Sequence, residues 1–353
     1  MSATDRRVVA ILAWVLGLLV FFLAIARAAD LRYLDSDRWP SDLYAFTHLD
    51  SGPLDVAVLG SSRSAFGLSP SAIEGCLERE ARRAQGADYT VVNLARYFSS
   101  IVGQSVVARD VLVGERTPRM VLAEVSPGLV NDYYNMLYID VGENGRIGDI
   151  PACLAATRDG RTAVSCARPL LRGVENVSWA VASRFDELRQ PTWMMTYKGG
   201  GQFCFGGAVC KDHNREYVDG MSRYWKRRVK NMVPIIKTER FSRFQVGEGI
   251  AHDYLGKLID WSDENGVELV LVNMPVHKVY QQEIPPEDYR AFLSYMQRLV
   301  AERGVRFYDA NDDHWQQARP LYFDPDHLND KGAAQLSRQI CREVAAPALA
   351  RQQ

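Results

Sequence analysis

The chain has 353 residues, 47% of them hydrophobic and 24% charged, with 42 basic side chains against 43 acidic ones. Apolar and aromatic content on that scale offsets chain entropy, which excludes disorder and collagen-like repetition and leaves one large domain or two modest ones. A formal net charge of -1 supplies no general field for a phosphate backbone, so nucleic acid is not an expected partner.

The first feature along the chain is the uncharged run Val8 to Ala26, VVAILAWVLGLLVFFLAIA. Its 19 residues at the helical rise span roughly 28 Å, close to a hydrocarbon thickness of about 30 Å, so residues 8–28 read as a transmembrane anchor. Arg6 and Arg7 make residues 1–7 a cytoplasmic tail and put everything after Arg27 outside, although Arg27 and Arg32 weaken the contrast. The alternative is a cleaved signal peptide, because Ala26-Arg27-Ala28 fits a small-x-small site, but the apolar core is long for one. Either way the remainder is exported. All six cysteines lie beyond this run and none forms a CxxC pair, so disulfides are expected rather than zinc or a thioredoxin-like site. Six free buried thiols are the other reading. Close spacing favours Cys153 with Cys166 and Cys204 with Cys210, which leaves Cys76 for Cys341.

Residues 29–53 are polar and aromatic without a sustained period and read as a stalk. The domain proper then spans about 54–346, with 347–353 as a tail. Leu54 to Leu59 is a short β-rich run ending at Gly60-Ser61-Ser62, and Ser69-Pro70 starts a helix to about residue 84. Tyr89 to Asn93 is a second strand, 102–115 a helix, and Arg119 to Val125 a third strand stopped by Ser126-Pro127. A helix over about 250–264 leads through Gly266 to a fourth strand, Glu268 to Asn273. A helix of about 287–303, a strand Val305 to Tyr308 and a last helix from about Asp330 to Ala346 complete the pattern. Strands alternating with helices predict an α/β fold, a three-layer sandwich with a parallel sheet in flavodoxin-like order. In that order the first and last helices share one face, where Cys76 and Cys341 can meet. Residues 128–245 break the pattern with Gly, Trp, Tyr and four cysteines. They read as an insertion after strand three that caps the ligand-binding edge. Within it Arg223 to Lys230, RYWKRRVK, carries five basic residues, by default a solvated helix face, otherwise a contact for anionic headgroups or an acidic glycan.

Two segments carry chemistry. Val56 to Ser64, VAVLGSSRS, puts a serine at the exit of the first strand, and Tyr322 to Asn329, YFDPDHLN, puts Asp324 three residues ahead of His327 before the last helix. Asp324 on Nδ1 of His327 fixes the tautomer and leaves Nε2 to take a proton from Ser62, a catalytic triad. Asp326 is the poorer acid, because adjacent side chains diverge. His277, after a buried strand at the same edge, reads as a backbone-satisfied loop histidine or a substrate contact. Arg63 and Arg96 read as surface ion pairs or as ligands for an anionic substrate group. Asp309 to His314, DANDDH, lacks EF-hand spacing and reads as a turn. No P-loop, dinucleotide fingerprint or HExxH is present, and no cofactor or metal is expected.

Gly-x-Ser after the first strand together with Asp-x-x-His at the end resembles the SGNH (GDSL-like) hydrolase superfamily over about 54–346 outside the insertion. The resemblance implies Ser62 as nucleophile, His327 as base and Asp324 as its orienting acid. The second-block glycine is replaced, with Asn93-Leu94-Ala95-Arg96 after strand two, so the backbone N–H of Ala95 joins that of Ser62 as oxyanion donor. The third block, Gly-x-Asn-Asp, is also replaced, by Ser126-Pro127-Gly128 with Asn131-Asp132 further on, which makes Asn131 and Asn93 further donor candidates. This degraded pattern looks like the membrane-anchored SGNH proteins that accompany membrane-bound O-acyltransferases in exopolysaccharide O-acetylation or lipoteichoic-acid D-alanylation, and Val272 to His277 resembles their strand-four segment. The resemblance implies a single-pass protein of the inner (cytoplasmic) membrane with a periplasmic acyltransferase domain. Its partners would be an exported cell-surface polysaccharide, the membrane and a membrane-bound O-acyltransferase supplying the acyl group. Hydrolysis with the same triad, or an idle triad in a structural subunit of an export complex, are the rival readings.

Overall fold

The computed structural model describes residues 53–81, 89–96, 99–134, 137, 138, 140, 141, 149–157, 163–167, 204, 205, 222–236, 241 and 243–352, together with Gly17, Val20, Phe21 and Ala24. Most of the expected anchor, nearly all of the stalk, Cys210 and most of the expected insertion lie outside the described residues. Among those described, no helix is long and apolar enough to cross a membrane.

The first strand, β1 (Val56–Leu59), is buried along its whole length. It leads into α1 (Ser62–Gly67) and α2 (Pro70–Ala81), then β2 (Val91–Asn93), α3 (Ile101–Val111) and β3 (Met120–Val125). Continuous burial of β-branched runs is what a parallel sheet covered on both faces requires. After the interruption come α4 (Ile150–Ala156), β4 (Cys204–Phe205), α5 (Ser222–Ile235) and α6 (Gly249–Glu264). Beyond them lie β5 (Glu268–Asn273), α7 (Lys278–Gln281), α8 (Pro286–Arg303), β6 (Arg306–Asp309) and α9 (Asp313–Gln317). A hairpin of β7 (Tyr322–Asp324) and β8 (His327–Leu328) precedes α10 (Asp330–Ile340), a π turn over Cys341–Ala345 and α11 (Ala346–Ala350).

The sheet order is β4-β2-β1-β3-β5-β6. Five strands are parallel in the expected order, with Val56 opposite Val91 and Met120, and Met120 opposite Glu268. The sixth was not anticipated: β4 comes from the expected insertion and runs antiparallel on the β2 edge. Alternation sorts the side chains. Val56, Val58, Met120, Leu122, Val270 and Val272 share one cluster with Ile73 and Leu77 of α2 and Leu336 and Ile340 of α10. On the other face α3 packs against α6, and His252 of α6 bonds the Tyr295 hydroxyl of α8 at 2.7 Å.

Helix α2 and the π turn that follows α10 meet through a Cys76–Cys341 disulfide with Cα atoms 6.3 Å apart. The chain packs beyond the expected boundary at 346, because Ala348 and Leu349 of α11 are buried. Two compact units partition the chain, one of Met1–Ser41 with Val141–Lys198, the other of Asp42–Asp140 with Gly199–Gln353. The expected insertion is therefore divided between them. In the first unit, a Cys153–Cys166 disulfide joins α4 to residues 163–167. In the second, Met232 of α5 and Ile236 just after it pack with Val276, Tyr280 and Ile284 beyond the end of β5.

Candidate active site

The turn after β1 is set by packing. A Cβ on Gly60 would collide with Ser64 Oγ and come to 2.7 Å from Glu124 Oε2, so only glycine fits there. Ser61 caps the short helix α1, accepting from the Arg63 N–H, and Ser62 becomes its first residue. Sequence reasoning missed that helix. It also missed Glu124, a buried carboxylate near the end of β3 that accepts from Ser61 N at 2.7 Å, Ser61 Oγ at 2.8 Å, Ser64 N at 3.2 Å and Ser64 Oγ at 2.9 Å. The signal was present, since Glu124 is the one acidic residue in the apolar run MVLAEV of a strand expected to be buried on both faces.

Ser62 Oγ lies 2.8 Å from His327 Nε2, and His327 Nδ1 lies 2.8 Å from Asp324 Oδ1. The hairpin explains the second distance, because Asp324 and His327 are paired across β7 and β8 around the turn Pro325-Asp326. The same turn corrects the expectation for Asp326. Its backbone N–H donates to Asp324 Oδ1 at 3.1 Å, and its own Oδ1 comes to 3.3 Å from His327 Nδ1. Divergence of neighbouring side chains holds for an extended strand, whereas a tight turn folds both carboxylates toward the ring. Burial works against a charged His327, but the Asp326 and Asp324 carboxylates outweigh it and push the imidazole up to about 10. The Phe66 ring closes the site with an edge contact at 5.2 Å.

Three expected oxyanion donors are engaged elsewhere. The Ala95 N–H donates to Asn93 Oδ1 at 3.0 Å, and Asn93 Nδ2 donates to the carbonyls of Ser64 and Leu68 at 3.0 and 2.7 Å. Asn93 thus ties β2 to the end of α1. Asn131 donates from Nδ2 to the Arg243 carbonyl at 2.8 Å and accepts from Gln245 N at 3.0 Å. Asp132 accepts from Ala251 N at 3.1 Å in the first turn of α6. The pair therefore fastens the segment that leads into α6. The Ser62 N–H, at the first position of α1, keeps its capacity to donate.

His277 meets the triad hairpin through its backbone, donating to the Pro325 carbonyl at 2.9 Å. Its ring stands edge-on to Trp225 of α5 and to Tyr322, with centroids 5.1 and 5.7 Å away. Burial, with the charges of Lys278 and Arg319, lowers its pKa to about 4, so the ring is neutral. Arg63 is buried rather than a surface ion pair, its guanidinium 4.7 Å from the centre of the Tyr280 ring. Asp312 caps α9 through the Trp315 N–H, and Asp309 accepts from Asn273 and Asn311, so the acidic segment expected to be a turn is the end of β6, a three-residue connection and the start of α9. Among the described residues the one cluster compact enough to hold a metal ion is Asp324, Asp326 and His327, the triad's own side chains.

A protein-family model matches residues 234–347, which contain β5, β6 and the Asp324–His327 hairpin. No curated protein matches the chain. Among solved structures, the chain is similar to a lipase/acylhydrolase of Enterococcus faecalis, with 13% identity over 83% of this chain and 97% of the other and a TM-score of 0.36. It is also similar to a Bacteroides fragilis protein named for an acylhydrolase activity, with 8% identity, 89% and 98% coverage and a TM-score of 0.37.

Proposed function

We propose that the chain is a serine acyl-transfer enzyme of the SGNH type, anchored in the inner membrane with its domain exported, moving an acyl group, acetyl first among candidates, onto a hydroxyl of an exported polysaccharide. The observation that carries the acyl-transfer chemistry is the Ser62–His327–Asp324 relay of two 2.8 Å contacts, the first of which joins residues far apart in sequence. Anchoring and export rest on the apolar run at 8–26 and are supported by two disulfides, which persist in oxidising compartments.

Ser62 Oγ attacks the acyl carbonyl as the neutral ring of His327 takes its proton at Nε2. Asp324 holds Nδ1–H and stabilises the imidazolium, and the Ser62 N–H donates to the developing oxyanion. His327 then returns the proton to the leaving oxygen, which leaves an ester on Ser62. An incoming hydroxyl gives up its proton to His327 and takes the acyl group, and His327 passes that proton to Ser62 Oγ as its ester bond breaks. A sugar hydroxyl makes this transfer, whereas water makes it hydrolysis. The acceptor is assigned to a polysaccharide on the sequence resemblance.

Steady-state turnover of p-nitrophenyl acetate, with and without a polysaccharide acceptor, tests the reading. Replacing Ser62 or His327 by Ala is expected to remove about 10⁴-fold of the rate, and Asp324→Ala less, because it orients without exchanging the proton. Product acetylated on the sugar supports transfer, and free acetate alone assigns hydrolysis. Full activity in Ser62→Ala refutes both.

A further inference from the structure

Arg63 directly follows the proposed nucleophile. The residue is 7% exposed, and its Nη2 is enclosed without a hydrogen-bond partner among the described residues. Among the described residues no carboxylate pairs with it; its one side-chain partner is the Tyr280 ring. A guanidinium cannot shed its charge, and an aromatic face offsets only part of the cost of burying it.

Two further donors belong to the same neighbourhood. The Tyr322 hydroxyl, two residues before Asp324, is also buried with no hydrogen-bond partner among the described residues. Burial and the Asp312 charge push its ionisation up while Arg63 opposes them, so it remains a neutral O–H within reach of the Arg63 field. His277 stands beside Tyr322, and its Nδ1 accepts from the Val279 N–H at 3.2 Å, which leaves the proton of the neutral ring on Nε2 as a donor. Lys278 and Arg319 add positive charge around this imidazole. A guanidinium, a phenol and an imidazole N–H form a set rich in donors, and the ligand that satisfies such a set is an anion with several acceptor oxygens.

We propose that Arg63 and Tyr322, with His277 at their side, form an anion subsite of the Ser62 centre, taking a carboxylate or phosphate group carried by the substrate. The proposal rests on the acyl-transfer reading for its role but not for its test. Arg63 is the residue after the nucleophile and Tyr322 shares β7 with Asp324, so an acid group held by the pair would let the enzyme select acyl donors or acceptors that carry negative charge.

The experiment uses the full chain with Ser62→Ala, so that binding is read without turnover. Galacturonate, inorganic phosphate and neutral galactose are titrated at constant ionic strength, followed by tryptophan fluorescence and thermal shift. Saturable binding of galacturonate or phosphate, but not of galactose, is expected. Galacturonate alone assigns a sugar carboxylate and phosphate alone a phosphoryl group. Adding Arg63→Gln should weaken the anion about 30-fold or more, as loss of a buried charged partner does. Tyr322→Phe, which keeps the ring packing, should weaken it about 10-fold or more, as loss of one hydrogen bond to a charge does. Absence of anion binding, equal binding of galactose, or undiminished affinity in both variants overturns the subsite. An inert Ser62 with anion binding intact overturns the acyl-transfer reading and leaves the subsite standing.

Discussion

Asp326→Asn removes one of the two carboxylates at Nδ1 of His327 while preserving the shape of the turn. In the parent the pair drives the imidazole to about 10 against the effect of burial. A single opposite charge 3.3 Å away is worth about 1–3 pKa units, at roughly 1.4 kcal/mol each. The base must be neutral to accept the Ser62 proton, so kcat/KM for p-nitrophenyl acetate should rise with pH along a limb far above the ordinary histidine value near 6.5. In Asp326→Asn that limb should move down by about 1–3 units, making the variant faster than the parent at neutral pH by about 10-fold or more even if its plateau is lower. Stability gives an independent reading. A folded-state pKa raised above the unfolded value contributes stability that is fully present below about 6.5 and is lost as pH rises through about 10. The parent should therefore weaken across that window, on the order of 1.4 kcal/mol for every pH unit between the two values, and the variant should weaken less. The assay is a kcat/KM profile from about pH 6 to about 10.5 at fixed ionic strength, paired with urea unfolding at each pH. Superimposable limbs in parent and variant would refute the assignment of Asp326 as a second charge on the histidine.

Glu124→Gln should lower kcat with little change in KM and destabilise the fold by about 1–3 kcal/mol, because an amide NH₂ then faces Ser61 and Ser64 donors that the carboxylate accepts; parent-like kcat and melting temperature would count against its role in holding the Ser62 turn. Cys76→Ala/Cys341→Ala opens a bridge across a sequence separation of 265 and should cost up to about 5 kcal/mol in the chain-entropy model, read as a lower urea midpoint. An unchanged midpoint in the oxidised protein would contradict it.

The parallel sheet and the helices alternating with it were legible because burial on both faces leaves long β-branched runs, and because Gly and Pro mark the stops. Proximity of Cys76 and Cys341 followed from strand order alone. Ser62, Asp324 and His327 were legible for a local reason, each lying next to an element whose position the pattern already specified. The oxyanion donors were not. Whether Asn93, Ala95 and Asn131 offer a hydrogen bond to a ligand depends on what else they bond, and their partners at Ser64, Leu68, Arg243 and Gln245 are set by tertiary packing. Asp326 was misread because a two-residue turn and a strand differ in where neighbouring side chains point. The edge strand β4 has only two residues, too short for any period to register. Glu124 alone among the missed residues left a mark in the sequence, a lone carboxylate in an apolar strand.

The central claim is that Ser62 carries the acyl group, and the most direct measurement is intact-protein and peptide mass spectrometry after brief mixing with p-nitrophenyl acetate and an acid quench. The account predicts an added acetyl group on the peptide containing Ser62, formed as p-nitrophenol is released. It also predicts no adduct in Ser62→Ala or His327→Ala. An acetyl group found elsewhere, or a Ser62→Ala protein that still turns over the ester, would contradict it.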